Sequence, residues 1–71
     1  METITNRRHF VVTGVAKQIG VTPLYDYDDG LYGQIIFLPV DTFPAAVVGS
    51  KLDRVEYMID KKVRHRWEAI R

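Results

Sequence analysis

The chain contains no cysteine, a single serine and three prolines. Without cysteine, neither a disulfide nor a thiolate metal site can reinforce the fold, and nothing points to an oxidising compartment. The longest apolar runs, such as Ile35 to Leu38, are four residues, whereas a membrane span needs about 20. The N-terminus also lacks the apolar centre of a signal peptide. We therefore expect a soluble cytoplasmic protein that does not enter a membrane.

Lysine and arginine are missing from the middle of the chain. Residues 20–50 carry four aspartates and no basic side chain, whereas residues 1–19 have a net charge of +2 and residues 51–71 a net charge of +3. Such segregation can steer a charged partner or can be neutralised within the fold, and both interpretations stay open. With 46% hydrophobic and 27% charged residues, the 71-residue chain is expected to form a single globular domain over residues 1–71.

The last third of the sequence has the clearest periodicity. Six apolar residues follow one another there at spacings of three and four: Leu52, Val55, Ile59, Val63, Trp67 and Ile70. This spacing is typical of an amphipathic helix, here of about five turns, and Ser50 is a suitable N-cap. The sequence therefore predicts one long C-terminal helix.

Strand signals precede that helix. The apolar segment from Gln34 to Leu38 is bounded by glycine and proline, and Phe10 to Val12 is a second apolar run. The turn residues Asp28, Asp29 and Gly30 allow the segments on either side to pair as a hairpin. We predict an α+β domain in which a small antiparallel sheet of two or three strands packs on the C-terminal helix. Four sheet residues complete the expected core: Val11, Ile35, Phe37 and Leu38.

Residues 13–23 have two interpretations. Val11, Thr13, Val15, Ile19 and Val21 share the parity of a strand, whereas Val12, Val15, Ala16 and Ile19 lie at helical spacings. Written out as Thr-Gly-Val-Ala-Lys-Gln-Ile-Gly-Val-Thr-Pro, the segment resembles the first helix and turn of helix-turn-helix proteins, particularly excisionase-like and MerR-like winged helices. In those families a small residue packs on the recognition helix and a glycine four positions later makes the turn, and Ala16 and Gly20 have that spacing.

The resemblance covers eleven of the 71 residues and implies a DNA-binding regulator. Its recognition helix would be residues 23–30, which contain three aspartates. A recognition helix enters the major groove between two rows of phosphates, and carboxylates there would repel the DNA. The departure from the family pattern puts groove recognition in doubt.

The segment from Tyr25 to Tyr32 has the most unusual composition. Its spacing of aspartates and glycine does not match a calcium-binding EF-hand loop, so we predict no metal site. Tyrosines provide rigid contact area, and aspartates can engage a basic partner. The alternative is a solvated hairpin whose tyrosines cover a small core. The residues predicted to bind a partner are Tyr25, Asp26, Tyr27, Asp28, Asp29 and Tyr32.

Basic side chains near both ends of the chain are candidates for contacts with nucleic-acid phosphates. They are Arg7, Arg8, Lys17, Lys61, Lys62 and Arg64. Acidic residues are interleaved with those of the last third, which is also the pattern of an ordinary solvated surface. This set supports the DNA-binding hypothesis only in part.

No recognisable catalytic motif is present. The single serine has no nucleophile motif around it, no Gly-rich phosphate loop occurs, and His9 and His65 are distant in sequence. We therefore expect a non-enzymatic accessory or inhibitory protein, without a cofactor, that binds another protein through the Tyr/Asp segment. The alternative is a winged-helix DNA-binding regulator that uses residues 13–23 and the basic C-terminal helix, and a minimal enzyme comes third. A monomer and a homodimer are equally compatible with so short a chain.

Overall fold

The computed structural model describes residues 1–70, which form five β-strands. The strands are β1 (Thr3–Val15), β2 (Gln18–Pro23), β3 (Ile36–Pro39), β4 (Lys51–Ile59) and β5 (Lys62–Ala69). They form one antiparallel sheet in the order β3-β2-β1-β4-β5. A short 3₁₀ turn, Val40–Thr42, follows β3. The long strand β1 is therefore central, with β2 and β3 on one side of it and β4 and β5 on the other.

The predicted α+β fold and its long C-terminal helix are wrong. Residues 1–70 contain no α-helix, and the segment expected to be helical is the hairpin of β4 and β5. Asp60 and Lys61 interrupt it because both adopt positive φ, 50° and 65°, which makes a tight turn instead of a helical one. The sheet has five strands instead of two or three. No helix in the described part of the chain has the length and hydropathy to cross a bilayer.

The strand predictions are confirmed in part. Phe10 to Val12 lies within β1, and β3 covers most of the segment from Gln34 to Leu38. Residues 13–20 are the end of β1, a turn and the start of β2, so the helical interpretation of this segment is wrong and the helix-turn-helix resemblance is accidental. The segments flanking Asp28 to Gly30 do pair, as β2 with β3, but through a longer connection over residues 24–35.

The sheet curls around one apolar face. Bulges between Val12 and Gly14 and between Ile4 and Asn6 bend β1, as an extra unpaired residue does in a strand. We call the face that carries Phe10 and Val12 the inner face, and the opposite face of the sheet the outer face. The core on the inner face contains Phe10, Val12, Ile19, Val21, Leu38 and Leu52. Phe43 and Ala46, from the connection between β3 and β4, close its open side.

The predicted core agrees with this arrangement only in part. Leu38, Leu52 and Val55 are buried, and Trp67 is half-buried against the core. Four other predicted core residues are exposed: Ile35, Phe37, Val63 and Ile70. Val63 and Ile70 were misplaced because a helix would bury positions three and four apart, whereas Phe37 is exposed because neighbouring residues of a strand lie on opposite faces and Leu38 faces the core. Ile59, which belongs to the same apolar stripe, is half-buried at the end of the β4–β5 hairpin.

The β4–β5 turn provides a first prediction. Lys61 has a φ of 65°, where a residue with a Cβ is strained and glycine is not. We expect Lys61→Gly to stabilise the protein by about 0.5 kcal/mol or more, seen as a rise of a few degrees in Tm. The matched variant Lys62→Gly places the glycine in a strand and should lower Tm instead. A Tm that falls in the Lys61→Gly variant would contradict this turn geometry.

Candidate functional site

The connection between β2 and β3, residues 24–35, carries the predicted partner-binding residues, and we call it the acidic loop. Its aspartates shape the backbone: the Asp28 amide donates to Asp26 Oδ1 at 2.9 Å, and the Leu31 amide donates to Asp29 Oδ1 at 3.1 Å. Such bonds from a backbone amide to a preceding aspartate are typical of turns. Asp28 and Gly30 adopt positive φ within it. The loop thus has a defined conformation that its own sequence supports.

Two side chains fasten the acidic loop to β1. The backbone amide of His9 donates a hydrogen bond to the Tyr27 hydroxyl at 2.8 Å. Arg8 forms an ion pair with Asp29, and its guanidinium lies 5.4 Å from the centre of the Tyr27 ring. A cation above an aromatic face adds to the ion pair. Tyr27 and Asp29, both predicted to bind a partner, are therefore engaged within the protein.

The remaining predicted residues of the acidic loop face solvent. Tyr25 and Tyr32 are 61% and 59% exposed. Asp26 and Asp28 form no ion pair with any residue of the described range 1–70. The Tyr25 ring meets the Tyr27 ring edge-on, with 6.2 Å between the centroids. The loop therefore presents two aromatic rings and two carboxylates from a fixed base.

The predicted nucleic-acid contacts do not form one surface. Arg7 and Arg8 follow one another in β1, so their side chains lie on opposite faces of the sheet, and both are paired with carboxylates. Lys17 lies in the turn between β1 and β2. The other three, Lys61, Lys62 and Arg64, lie at or beside the β4–β5 turn. The pairing of β1 with β4 places this turn beside the start of β1, at the opposite end of the sheet from Lys17.

The outer face contains a cluster that the sequence analysis missed, centred on Asp53. This aspartate lies opposite His9 in the ladder between β1 and β4, and its side chain is only 5% exposed. Arg7 Nη1 lies 2.8 Å from Asp53 Oδ2, and His9 Nδ1 lies 2.5 Å from Asp53 Oδ1. Burial favours the neutral acid, but the hydrogen bonds from Arg7 and His9 outweigh it and hold the pKa of Asp53 below its ordinary value.

The cluster extends to the edge of the sheet. Glu68 in β5 accepts hydrogen bonds from Arg66 at 2.8 Å and from Arg7 at 3.1 Å, and these bonds lower the pKa of Glu68. Arg66 also pairs with Glu2 and lies 4.8 Å from the centre of the Tyr57 ring. Charged groups from β1, β4 and β5 are thus joined across the outer face, which favours a structural role for the cluster.

The inner face ends in a polar hollow beyond the core. Arg8 and Arg54 lie directly opposite each other there, beside His65 and Glu56, whose side chains are 3.3 Å apart. Arg8 Nε is buried and has no hydrogen-bond partner among the described residues. Two arginines side by side repel each other, but Glu56 and Asp29 supply opposite charge nearby. No group of three or more metal-ligating side chains occurs in residues 1–70.

Sequence signals for these contacts were weak. The composition of the acidic loop marked it as unusual, but the partners of Tyr27 and Asp29 depend on which part of β1 lies beside the loop. Likewise, Asp53 and His9 are far apart in sequence and meet only through the β1–β4 register.

No known protein family, no curated protein and no solved structure matches the chain.

Proposed function

We propose that the protein is a non-enzymatic binding protein, of an accessory or inhibitory kind, that engages another protein through the acidic loop. The observation that carries this proposal is that the acidic loop exposes two rings, Tyr25 and Tyr32, together with the carboxylates of Asp26 and Asp28, which form no ion pair within residues 1–70. Tyrosine contributes much of the binding energy in protein interfaces because it buries a large rigid ring and retains a polar end. The carboxylates select a partner surface that is basic.

The way the loop is held supports the same function. The Tyr27 hydroxyl accepts a hydrogen bond from the His9 amide and the Asp29 carboxylate pairs with Arg8, so both hold the loop against β1, while Tyr25 and Tyr32 remain exposed. A loop that is ordered before binding loses less conformational entropy on association, so more of the contact energy is retained as affinity. Tyr27 and Asp29 therefore act as positioning residues in this proposal, and the exposed four make the contact.

Nucleic acid is a weaker candidate for the partner. The acidic loop would repel phosphates, and the six basic residues considered for phosphate contacts lie at opposite ends and on opposite faces of the sheet. The winged-helix version of this hypothesis also loses its helix-turn-helix, because residues 13–23 are strand and turn and residues 24–35 are a connection without a helix. Electrostatic complementarity with a basic protein surface accounts for the loop more directly.

Neutralising the two exposed carboxylates tests the proposal. The test variant combines Asp26→Asn with Asp28→Asn. Asp26→Asn keeps the side-chain oxygen that accepts a hydrogen bond from the backbone amide of residue 28, and Asp28→Asn is compatible with the φ of 60° at that position. The double variant should therefore keep the loop conformation and lose only charge. In affinity capture followed by titration of the recovered partner, we expect it to bind at least about tenfold more weakly than the unmodified chain.

The matched control is Asp41→Asn with Asp60→Asn, two exposed aspartates outside the acidic loop. It changes the net charge equally and should bind like the unmodified chain. Equal capture of the same proteins by both double variants would contradict a role for the loop carboxylates. Binding to duplex DNA that weakens steeply with salt and strengthens in the Asp26→Asn, Asp28→Asn variant would favour the nucleic-acid hypothesis instead.

A further inference from the structure

The polar hollow at the end of the inner face has a charge arrangement that sheet stability does not require. Side chains of β1, β4 and β5 line it: Asn6, Arg8, Arg54, Glu56 and His65. Arg8 and Arg54 lie directly opposite each other in the antiparallel ladder between β1 and β4. Like charges in directly opposite positions destabilise a sheet. Proteins keep such unfavourable pairs chiefly at functional sites.

Arg54 differs from the other half-buried arginines in having no counterion. Within residues 1–70 three arginines are half-buried: Arg8, Arg54 and Arg66. Arg8 and Arg66 each pair with a carboxylate, whereas Arg54 forms no ion pair with any residue of that range. A guanidinium that is partly removed from water and lacks a partner raises the free energy of the folded state. An anion from solution can offset that cost.

Glu56, the one carboxylate that lines the polar hollow, is already engaged. Its Oε1 accepts a hydrogen bond from the Thr5 hydroxyl at 2.8 Å, and its Oε2 lies 3.3 Å from His65 Nε2. The hydrogen bond from Thr5, and then the contact with His65 and the charge of Arg8, hold the pKa of Glu56 below its ordinary value. Two guanidinium charges thus stand against one carboxylate, which leaves a surplus of one positive charge before His65 is protonated.

Arg8 strengthens the positive potential in the polar hollow. Its Nε is buried and has no hydrogen-bond partner within residues 1–70. Buried donors without a partner are uncommon in folded proteins. A charge that is shielded from water is screened less by solvent, so it attracts an anion more strongly than an exposed charge does. Arg8 therefore contributes mainly potential, whereas the donors of the unpaired Arg54 are available for direct contact.

The size of the polar hollow limits what can enter it. Its volume is about 20 Å³, which is enough for one water molecule or for one oxygen atom of a larger group. A ring or an aliphatic chain does not fit. A water molecule fits by size but leaves the surplus charge in place. A bound anion would put one oxygen into the hollow and keep its other atoms at the mouth, beside the 44% exposed His65 side chain.

We propose that the polar hollow binds a phosphate group, either the free ion or a small phosphate monoester. One phosphate oxygen accepts hydrogen bonds from Arg54, and the remaining oxygens lie towards His65 and solvent. Arginine suits this role because its planar guanidinium keeps its charge and presents several N–H donors to an oxyanion. A phosphate group carries about −1.5 to −2 charges at pH 7, more than a carboxylate can supply to two arginines. The proposal does not rest on the acidic loop or on its partner.

NMR titration of the full chain with inorganic phosphate tests the proposal, with chloride used to keep the ionic strength constant. We expect the Nε–H signal of Arg54 and the amide signals of Asn6 and His65 to shift and to saturate. A dissociation constant of about 1–10 mM is expected, because only one ligand oxygen is enclosed. Acetate should bind more weakly because it carries a single charge, and equally tight binding of acetate would overturn the assignment to phosphate.

Methyl phosphate, titrated in parallel, distinguishes the two sources of the phosphate group. Tighter binding of methyl phosphate than of inorganic phosphate supports a monoester as the ligand. Weaker binding supports the free ion, because the methyl group then occupies a position that an oxygen needs.

Arg54→Gln removes the unpaired charge and keeps a side chain with N–H donors. It should weaken phosphate binding at least about tenfold. Its Tm should not fall, because the substitution also removes the repulsion between positions 8 and 54. Arg54→Glu is the second variant: it places a carboxylate opposite Arg8, which favours folding, and it should abolish phosphate binding.

The matched control is Arg64→Gln, the same substitution at an exposed arginine of β5 that does not line the polar hollow. It should bind phosphate within about twofold of the unmodified chain, because salt screens a charge outside the site. The proposal is overturned if the unmodified chain shows no saturating shift up to about 50 mM phosphate, well above the expected dissociation constant. Equal binding by Arg54→Gln and the unmodified chain, or an equal loss in Arg64→Gln, would overturn it as well.

Discussion

Replacing Phe10 by alanine is expected to remove most of the protein's free energy of unfolding. Phe10 is 1% exposed at the centre of β1, opposite Pro23 in β2 and Leu52 in β4, and its ring meets Trp67 edge-on at 4.8 Å. Removing a buried phenyl ring costs about 3–5 kcal/mol. A domain of this size has a free energy of unfolding of only about 5 kcal/mol. Chemical denaturation followed by circular dichroism measures the loss.

Phe37→Ala is the matched control, because it deletes the same atoms from a ring that is mostly in solvent. Its free energy of unfolding should change by less than about 1 kcal/mol. The contrast isolates burial from the chemistry of the substitution. Equal losses in the two variants, or a cooperative and nearly unchanged melt of Phe10→Ala, would show that the core lies elsewhere.

The error in fold class has a specific physical origin in residues 51–69. Leu52 and Trp67 face the core, whereas Val55 is buried on the outer face beside Arg7 and Arg66. Because both faces of β4 bury an apolar residue, the strand shows a spacing of three between Leu52 and Val55 and mimics a helix. The alternation of a one-sided strand is lost in such a segment.

The turn that would have corrected this interpretation carries little signal. Two-residue turns with positive φ are recognised by Asn-Gly or Asp-Gly, and here the second residue is Lys61. A helix also tolerates the pair Asp60 and Lys61, so nothing local separates the two structures. Intrinsic preferences for helix and for strand differ by small energies that tertiary packing readily overrides. Here the pairing of Leu52 with Phe10 favours the strand over the helix.

Other features were accessible because they depend on local chemistry. The acidic loop follows from a cluster of aspartates, tyrosines and glycines, whose turn-forming and solvent-facing tendencies need no long-range partner. The strand at β3 follows from a short apolar run bounded by Gly33 and Pro39. By contrast, the anchoring of the loop by Arg8 and the cluster at Asp53 both depend on the register between strands. Register arises from the whole sheet and is not written in any one segment.

The second large effect is expected at Asp53. The carboxylate is buried between Arg7 and His9, and Asp53→Asn keeps its shape while removing the charge that both partners face. Breaking a fully buried ion pair by removing one member costs about 3–5 kcal/mol. Arg7 is 40% exposed and can be rehydrated, so we expect a smaller loss in the free energy of unfolding, of about 2 kcal/mol. Asp41→Asn, at an exposed position, should change it by less than about 0.5 kcal/mol.

The pH dependence distinguishes the loss of this charge from a packing defect. The pKa of Asp53 is lower in the folded protein than in the unfolded chain, where an aspartate titrates near about 3.9. Its contribution is therefore complete above that ordinary value and is lost as the pH falls through the folded pKa. The stability advantage of the unmodified protein over Asp53→Asn should be present at about pH 5 and should shrink as the pH falls below about 4. Paired denaturation curves across this range measure it. An advantage that does not shrink at all as the pH falls below about 4 would instead assign the effect of the substitution to packing.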